Sequence, residues 1–288
     1  MMNEYLKKQE KISDQTKKTY LQTASTLPFN ITTTQATIIK KLKQLYDNPN
    51  TLSLYLNMII LLRRDKDLEH DKLIKFRNEL REKIIEVRKS NMSDTKNTLI
   101  TYNELLDKLN ELNGIRYVLN YLLITFGFRN KDINLFYVEK LPTEINEETN
   151  YIIKSKSGYK LNINDYKTES SFGTKTINIT DSKFKTEMKK LNFKDNSYIL
   201  PKKNGDKLKL NSFNDKVISL TIDGLGETKI FKIIIKHLLD SKDFTKLEEL
   251  VNTRGTSLAT ILKSYNVYNN DSKQDEKKTD EIKEEIKD

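Results

Sequence analysis

Residues 115–128, "IRYVLNYLLITFGF", decide the fold of this 288-residue chain. Apolar side chains lie on nearly every face of this segment, which is typical of a helix buried at the centre of a hydrophobic core. The helical pattern ends at Gly127, and the polar residues "RNKD" follow Phe128. A glycine at this position is a common helix end, so the sequence predicts a buried helix that stops at a polar turn.

The sequence before this helix is helical in pattern. In residues 12–113 apolar side chains recur at every third or fourth position, and Lys and Arg occupy the opposite faces. This pattern predicts a small helical bundle with a cationic exterior. The polar stretch "NMSDTKNT" at 91–98 separates the bundle from the buried helix. We therefore expect a first domain over residues 1–95 and a second over residues 96–270.

The pattern changes after residue 150. Apolar and polar residues alternate over about 151–180, with Gly158 and Gly173 at turn positions, which predicts a β-hairpin within an antiparallel sheet of two or three strands. Helical periodicity returns after this segment. The predicted fold class is therefore mainly α with a small antiparallel sheet (α+β). Residues 271–288 are charged and have little to bury, so we expect a disordered tail.

The composition narrows the classes of function. The chain has 51 Lys and Arg against 41 Asp and Glu, a formal charge of +10, and this excess favours a polyanionic partner, nucleic acid first. Cys is absent and His70 and His237 are the two histidines, so we expect neither a metal nor another cofactor. No apolar run approaches the length of a membrane span. A soluble, intracellular protein without membrane contact is expected.

The order of the elements resembles that of the tyrosine recombinases, the phage-integrase family of DNA strand-exchange enzymes. After a basic helical domain come the helix and turn "LLITFGFRNKDINLF" (122–136), the hairpin "YKTESSFGTKTINI" (166–179), the helix "KIFKIIIKHLL" (229–239) and the stretch "RGTSLATILKSY" (254–265). The resemblance covers nearly the whole chain. It implies an N-terminal core-binding domain that contacts DNA and a C-terminal catalytic domain.

The resemblance implies roles for the first residues of a phosphate site. Arg129 in "GFRNKD" corresponds to the first catalytic arginine, with Asp132 in support. A planar guanidinium suits this role because it can bind two phosphate oxygens at once. The hairpin lysine that protonates the departing 5′ oxygen is assigned to Lys167, with Lys175 as the second choice. On the residues alone, each of these cations is equally compatible with a solvated surface.

Two positions depart from the pattern of the family. Where the family has His-x-x-Arg, this chain has "KIFK", which places Lys229 and Lys232 in those roles. Lysine keeps the charge but lacks the two-pronged geometry of arginine. Where the family has Leu-Gly-His-Ser, this chain has "RGTS", so Thr256 replaces the histidine and Arg254 is an additional cation that we interpret as a substitute phosphate ligand.

The nucleophile of the family lies nine residues after that histidine, which implies Tyr265, with Tyr268 as the alternative. Attack by the phenol oxygen would give a 3′-phosphotyrosyl intermediate and a free 5′ hydroxyl. A phenol has a pKa of about 10 in water, so nearby cations are needed to ease formation of the phenolate. Without the upstream elements, Tyr265 would be interpreted as an ordinary core aromatic.

The leading hypothesis is a site-specific recombinase or integrase of a mobile element or a virus. The expected partner is double-stranded DNA, bound by a homo-tetramer in the host cytoplasm or nucleus. The alternatives are a degenerate member that binds DNA without cutting it, and an unrelated basic helical nucleic-acid-binding protein. The predicted phosphate-binding cations of the first domain are Lys17, Lys18, Lys40, Lys41, Lys43, Arg63 and Arg64, with Lys175 added from the hairpin.

Overall fold

The computed structural model describes residues 14–27, 29–96 and 99–265, apart from the side chains of 15, 88–96, 263 and 264. The predictions for Tyr268 and for the charged tail fall outside these residues. The chain divides into two compact units, Met1–Met92 and Ser93–Asp288, which are described separately. This division and the predicted boundary near residue 95 both fall in one long helix, Asp71–Lys96.

The first unit is a helical bundle. Its helices are α1 (Asp14–Ser25), α2 (Gln35–Leu45), α3 (Pro49–Asp65) and α4 (Asp71–Lys96). Two of the starts follow from local chemistry: the Thr34 hydroxyl accepts a hydrogen bond from the Thr37 amide, and Asn48 caps α3 ahead of Pro49. The core of the bundle consists of fully buried aliphatic side chains, among them Ile38, Leu42, Leu56, Ile59 and Leu73.

Arg63 corrects one prediction for the first unit. Its side chain is buried, with 5% exposed, and its guanidinium donates to the carbonyl oxygens of Ile31, Thr33 (2.9 Å) and Glu69 (2.6 Å). Arg63 therefore ties the loop between α1 and α2 to the end of α3, and it is not a surface cation. The other predicted cations of this unit are exposed except Lys17, which is half-buried and pairs with Asp14 at 3.3 Å.

The second unit combines helices with one sheet. Its elements, in chain order, are α5 (Tyr102–Glu111), α6 (Gly114–Phe126), β1 (Leu135–Val138), β2 (Asn150–Lys154), β3 (Tyr159–Ile163), α7 (Glu169–Phe172), β4 (Lys175–Ile179), α8 (Ser182–Leu191), β5 (Ser197–Tyr198), α9 (Leu210–Leu220), a 3-10 turn (Ile222–Gly224), α10 (Glu227–Asp240), α11 (Phe244–Arg254) and α12 (Leu258–Ser264).

Helix α6 is the predicted central helix, and the prediction is confirmed. Val118, Leu119 and Leu122 are fully buried, and helices α5, α8, α9, α10 and α11 pack around α6. The helix is apolar on nearly every face because neighbours cover most of it, while Arg116 and Thr125 are exposed. Its position determines where the turn that follows it, including Arg129, must lie.

The sheet is mixed, with strand order β4-β3-β2-β1-β5. The β2-β3 and β3-β4 pairs are antiparallel, as the alternation in 151–180 predicts, but β1 pairs with β2 in parallel, in the register Leu135 with Asn150. The α+β class is therefore confirmed and the purely antiparallel sheet is wrong. Residues 139–149 connect the end of β1 to the start of β2. They return the chain to the end of the sheet at which β1 begins, as a parallel pair requires. None of the helices in the described part of the chain is long and apolar enough to span a membrane.

Candidate functional site

The site begins where α6 ends. Gly127 ends the helix in the left-handed conformation, with φ of +62°. A Cβ at this position would lie 2.8 Å from the ring of Phe231 and 2.9 Å from Leu250, so both the backbone angle and the packing demand glycine. The turn at Gly127 places Phe128 in the core and leads directly to Arg129.

Arg129 and Asp132 form a local turn. The Arg129 amide donates to Asp132 Oδ2 at 2.9 Å, and the guanidinium Nη1 lies 4.0 Å from the same oxygen. The Asp132 side chain is only 2% exposed, and burial raises the pKa of its carboxyl to about 6 although the Arg129 amide and charge oppose the shift. Burial and the neighbouring Arg254 together lower the pKa of Arg129. The predicted pairing of Arg129 with Asp132 is present.

Arg254 lies at the centre of the site. It is the last residue of α11, its side chain is 1% exposed, and its guanidinium stacks on the Phe231 ring with 3.9 Å between the Cζ atom and the ring centroid. Its Nη1 donates to the carbonyl of Gly127, and its own carbonyl accepts from Arg129 Nη1 at 2.8 Å. Arg254 thus bonds the backbone of the segment that contains Arg129, and Arg129 bonds the backbone of Arg254. The two arginines lie 125 residues apart in the chain.

Tyr265 is the residue that ends α12. Its ring packs edge-on against Phe231, with 4.8 Å between the ring centroids, and its hydroxyl lies 3.5 Å from Arg254 Nη2. Phe231 thus contacts both the guanidinium and the phenol and fixes their relative position. The arrangement brings the phenol oxygen implied as the nucleophile next to Arg254, the additional cation at a position where the family has leucine.

Lys175 is the hairpin lysine that reaches this region. It is the first residue of β4, and its Nζ donates to the carbonyls of Asn252 (2.7 Å) and Thr253 (2.8 Å) in the last turn of α11. The ammonium also lies over the Tyr166 ring at 4.4 Å. Burial lowers the pKa of Lys175 to about 8, an effect that Asp132 partly opposes. An amine with this pKa can donate or accept a proton near neutral pH.

Gly255 allows the hairpin to approach α11 closely. Its φ is +63°, and a Cβ would lie 2.6 Å from the Tyr166 ring, 2.8 Å from Lys175 Nζ and 2.8 Å from the Thr168 hydroxyl. That hydroxyl donates to the Gly255 carbonyl. The loop between β3 and β4 is therefore held against the turn that follows Arg254. We use the name cationic cluster for Arg129, Lys175 and Arg254.

The sequence also predicts Lys167 and Thr256 as site residues. Lys167 is exposed, between Tyr166 and Thr168, which both contact the cationic cluster or the Gly255 turn. Thr256 is buried and its amide bonds to the carbonyl of Val251 at 3.1 Å.

Lys229 and Lys232 lie on faces of α10 that differ from the face toward Arg254. That face carries Glu227 and Phe231, four residues apart, whereas Lys232 is rotated by about 100° from Phe231. Lys229 is exposed, and burial together with the charge of Lys229 lowers the pKa of Lys232. Among the contacts of residues 99–265, none joins these two lysines to Arg129, Arg254 or Tyr265.

Sequence reasoning did not single out Glu227 and Phe231. Glu227 Oε1 lies 3.6 Å from Arg254 Nη2, and its Oε2 accepts from the Asn130 amide. A signal existed in the sequence, because an acid and an aromatic residue four positions apart share a helix face. Within the described ranges, no three acidic or histidine side chains are grouped as metal ligands would be.

Comparison with known proteins gives little further information. No protein-family model and no curated protein matches the chain. One solved structure, a crystal structure of XerA recombinase, is 11% identical over 96% of this chain and 95% of that chain, with a TM-score of 0.38. A TM-score this low carries no argument about fold or function.

Proposed function

We propose that this chain cuts and rejoins DNA in the manner of a tyrosine recombinase, with Tyr265 as the nucleophile. The observation that carries the proposal is the 3.5 Å approach of the Tyr265 hydroxyl to Arg254, beside Arg129 and close to the turn that Lys175 contacts. Four separate segments of the chain contribute to this arrangement. An ordinary core tyrosine needs no such assembly of cations.

Arg129 and Lys175 have donors that a phosphodiester can use. Arginine carries five N–H groups, and in the hydrogen bonds of residues 99–265 the Arg129 guanidinium uses only one, toward the Arg254 carbonyl. Lysine carries three, and Lys175 uses two on the carbonyls of Asn252 and Thr253. In the transition state of attack on phosphorus, negative charge grows on the non-bridging oxygens, where Arg129 stabilises it by hydrogen bonds and the buried Arg254 by its charge alone.

The proposed reaction transfers the DNA phosphate from its 5′ oxygen to the Tyr265 oxygen. The Tyr265 oxygen loses its proton to solvent and attacks phosphorus, the bond from phosphorus to the 5′ oxygen breaks, and the departing oxygen takes a proton from Lys175. The product is a 3′-phosphotyrosyl DNA and a free 5′ hydroxyl, and the reverse reaction with another 5′ hydroxyl rejoins strands. Lys175 takes the role first assigned to Lys167 because its ammonium is half-buried against α11.

The finer parts of the proposal rest on the resemblance and on charge. Double-stranded DNA as the partner is supported by the basic composition, and assembly as a homo-tetramer, DNA integration and a viral or mobile-element origin by the resemblance alone. Lys229, first assigned a catalytic role, is exposed and becomes instead a candidate for contact with DNA.

A covalent adduct assay tests the proposal. Nicked duplexes tiled over the DNA that flanks the chain's own gene are incubated with the protein, and a protein–DNA adduct resistant to denaturant is measured by gel shift. We expect an adduct with the wild type and with Tyr198→Phe, the matched control, and none with Tyr265→Phe. An adduct that persists in Tyr265→Phe and disappears in Tyr268→Phe would assign the reaction to Tyr268.

A second candidate function is DNA binding without cleavage. The observation that favours it is the 1% exposure of the Arg254 side chain, whose guanidinium is occupied by the Gly127 carbonyl and Glu227. An occupied guanidinium cannot bind phosphate unless it is released. Tight binding of the same duplexes by wild-type protein, with no adduct on any of them, would favour this function over the first.

A further inference from the structure

Glu227 joins two of the segments that build the site. It is the first residue of α10, and its two carboxylate oxygens face different elements. Oε2 accepts from the amide of Asn130, next to Arg129 in the turn after α6, and Oε1 lies 3.6 Å from Arg254 Nη2 at the end of α11. The carboxylate is 23% exposed, so it is partly shielded from water.

Arg254 needs such a partner. Its side chain is 1% exposed, and its Nε has no acceptor among the described residues. A charge this deeply buried is costly unless a counter-charge and hydrogen bonds compensate it. Among the residues that the structure describes, Glu227 is the carboxylate that pairs with the Arg254 guanidinium within 4.0 Å.

The same nitrogen of Arg254 faces both Glu227 and the proposed nucleophile. Nη2 lies 3.6 Å from Glu227 Oε1 and 3.5 Å from the Tyr265 hydroxyl. The orientation of the guanidinium toward Tyr265 is thus set by two residues on one face of α10, the Phe231 ring and the Glu227 carboxylate. Loss of the carboxylate leaves the guanidinium held by the Gly127 carbonyl and by the 3.5 Å contact with Tyr265, and so less firmly oriented.

We propose that Glu227 is a positioning residue, which holds Arg254 in register with the Arg129 turn and with the Tyr265 hydroxyl. This inference rests on the proposed function, since the quantity that Glu227 controls is the geometry of the phenol–guanidinium pair. Glu227 does not touch the DNA or exchange a proton. It acts through Arg254, as the counter-charge of the buried guanidinium and as the acceptor for the Asn130 amide.

The first test measures adduct formation in single turnover at saturating nicked duplex, together with the Kd of that duplex by fluorescence anisotropy. We expect Glu227→Ala to lower the rate constant by about 10- to 100-fold, because small misplacement of a reacting pair has effects of this size. Its Kd stays unchanged or decreases, since a negative charge is lost. Glu227→Gln keeps one acceptor oxygen, for the Asn130 amide, but loses the charge and places an NH2 donor toward Arg254, so it restores little of the rate. Glu248→Ala, which removes an exposed acid of α11, is the matched control and behaves as wild type.

Two results would overturn the inference: a wild-type rate in Glu227→Ala, or a wild-type rate in Glu227→Gln. A second readout does not require activity. With 3-fluorotyrosine incorporated at position 265, Glu227→Ala shifts the fluorine resonance and Glu248→Ala leaves it unchanged. If wild type forms no adduct but the resonance shifts, the proposed function fails while the positioning of Arg254 stands. An unchanged resonance in Glu227→Ala refutes the positioning role by itself.

Discussion

Replacing Gly255 with alanine tests the contact between the β3–β4 loop and the end of α11. Two costs are expected. The backbone has φ of +63°, where a residue with a Cβ costs roughly 1–2 kcal/mol. The new methyl group would also lie 2.6–2.8 Å from three atoms, on Tyr166, Lys175 and Thr168, and overpacking of this kind costs about 1–3 kcal/mol. The expected loss of stability is therefore about 2–5 kcal/mol.

Gly224→Ala separates the two costs. Gly224 has φ of +66°, but nothing lies within 4 Å of the Cβ that alanine would add. This control should lose only the backbone cost of roughly 1–2 kcal/mol. Urea denaturation measures both variants, and the difference between them reports the close contact of Gly255 with the hairpin. Equal losses in the two variants would refute the argument that the hairpin presses against this turn.

Two further predictions concern single cations. Lys175 must be protonated to donate to the departing oxygen, and burial lowers its pKa to about 8, so the ratio of the wild-type adduct rate to the Lys175→Ala rate should be constant below pH 8 and decrease about tenfold per pH unit above it; a ratio that stays flat from pH 7 to 10 excludes this lysine as the acid. Arg63→Met should destabilise the first unit by about 1.5–3 kcal/mol, because a charged donor to three carbonyls is lost. The neighbouring exposed Arg64→Met should change stability by less than about 0.5 kcal/mol in the same urea titration, and equal effects would contradict the buried role of Arg63.

The parts of the fold that the sequence predicts are those with a strong local cause. Helix α6 is apolar on nearly every face, and the hairpin strands alternate, so the local pattern of apolar residues identifies both. In each case the evidence lies within a few turns or residues of the element itself.

The parts that were missed depend on contacts between distant segments. Strand β1 has four residues, too few for its pattern to indicate a parallel partner. Arg63 and Arg64 are neighbours on α3, and the carbonyls of Ile31 and Thr33, 30 to 32 residues away, decide which of the two is buried.

The choice between the two hairpin lysines has the same physical origin. Lys167 and Lys175 lie at opposite ends of the loop between β3 and β4. The path of that loop is set in part by the Tyr166 hydroxyl, which donates to the Gly173 carbonyl at 2.7 Å. This path brings the second lysine to α11. Periodicity contains no information about such a loop.

The link between Arg129 and Arg254 has a consequence for the order of folding. It joins residues 125 positions apart, whereas the hairpin strands close over a few residues. Contacts between distant positions cost more chain entropy and form later than local ones. A partly folded molecule can therefore contain the finished hairpin while its arginines are still apart. Under the proposed function, a chain whose scaffold has not yet formed would therefore lack the arrangement that attacks DNA.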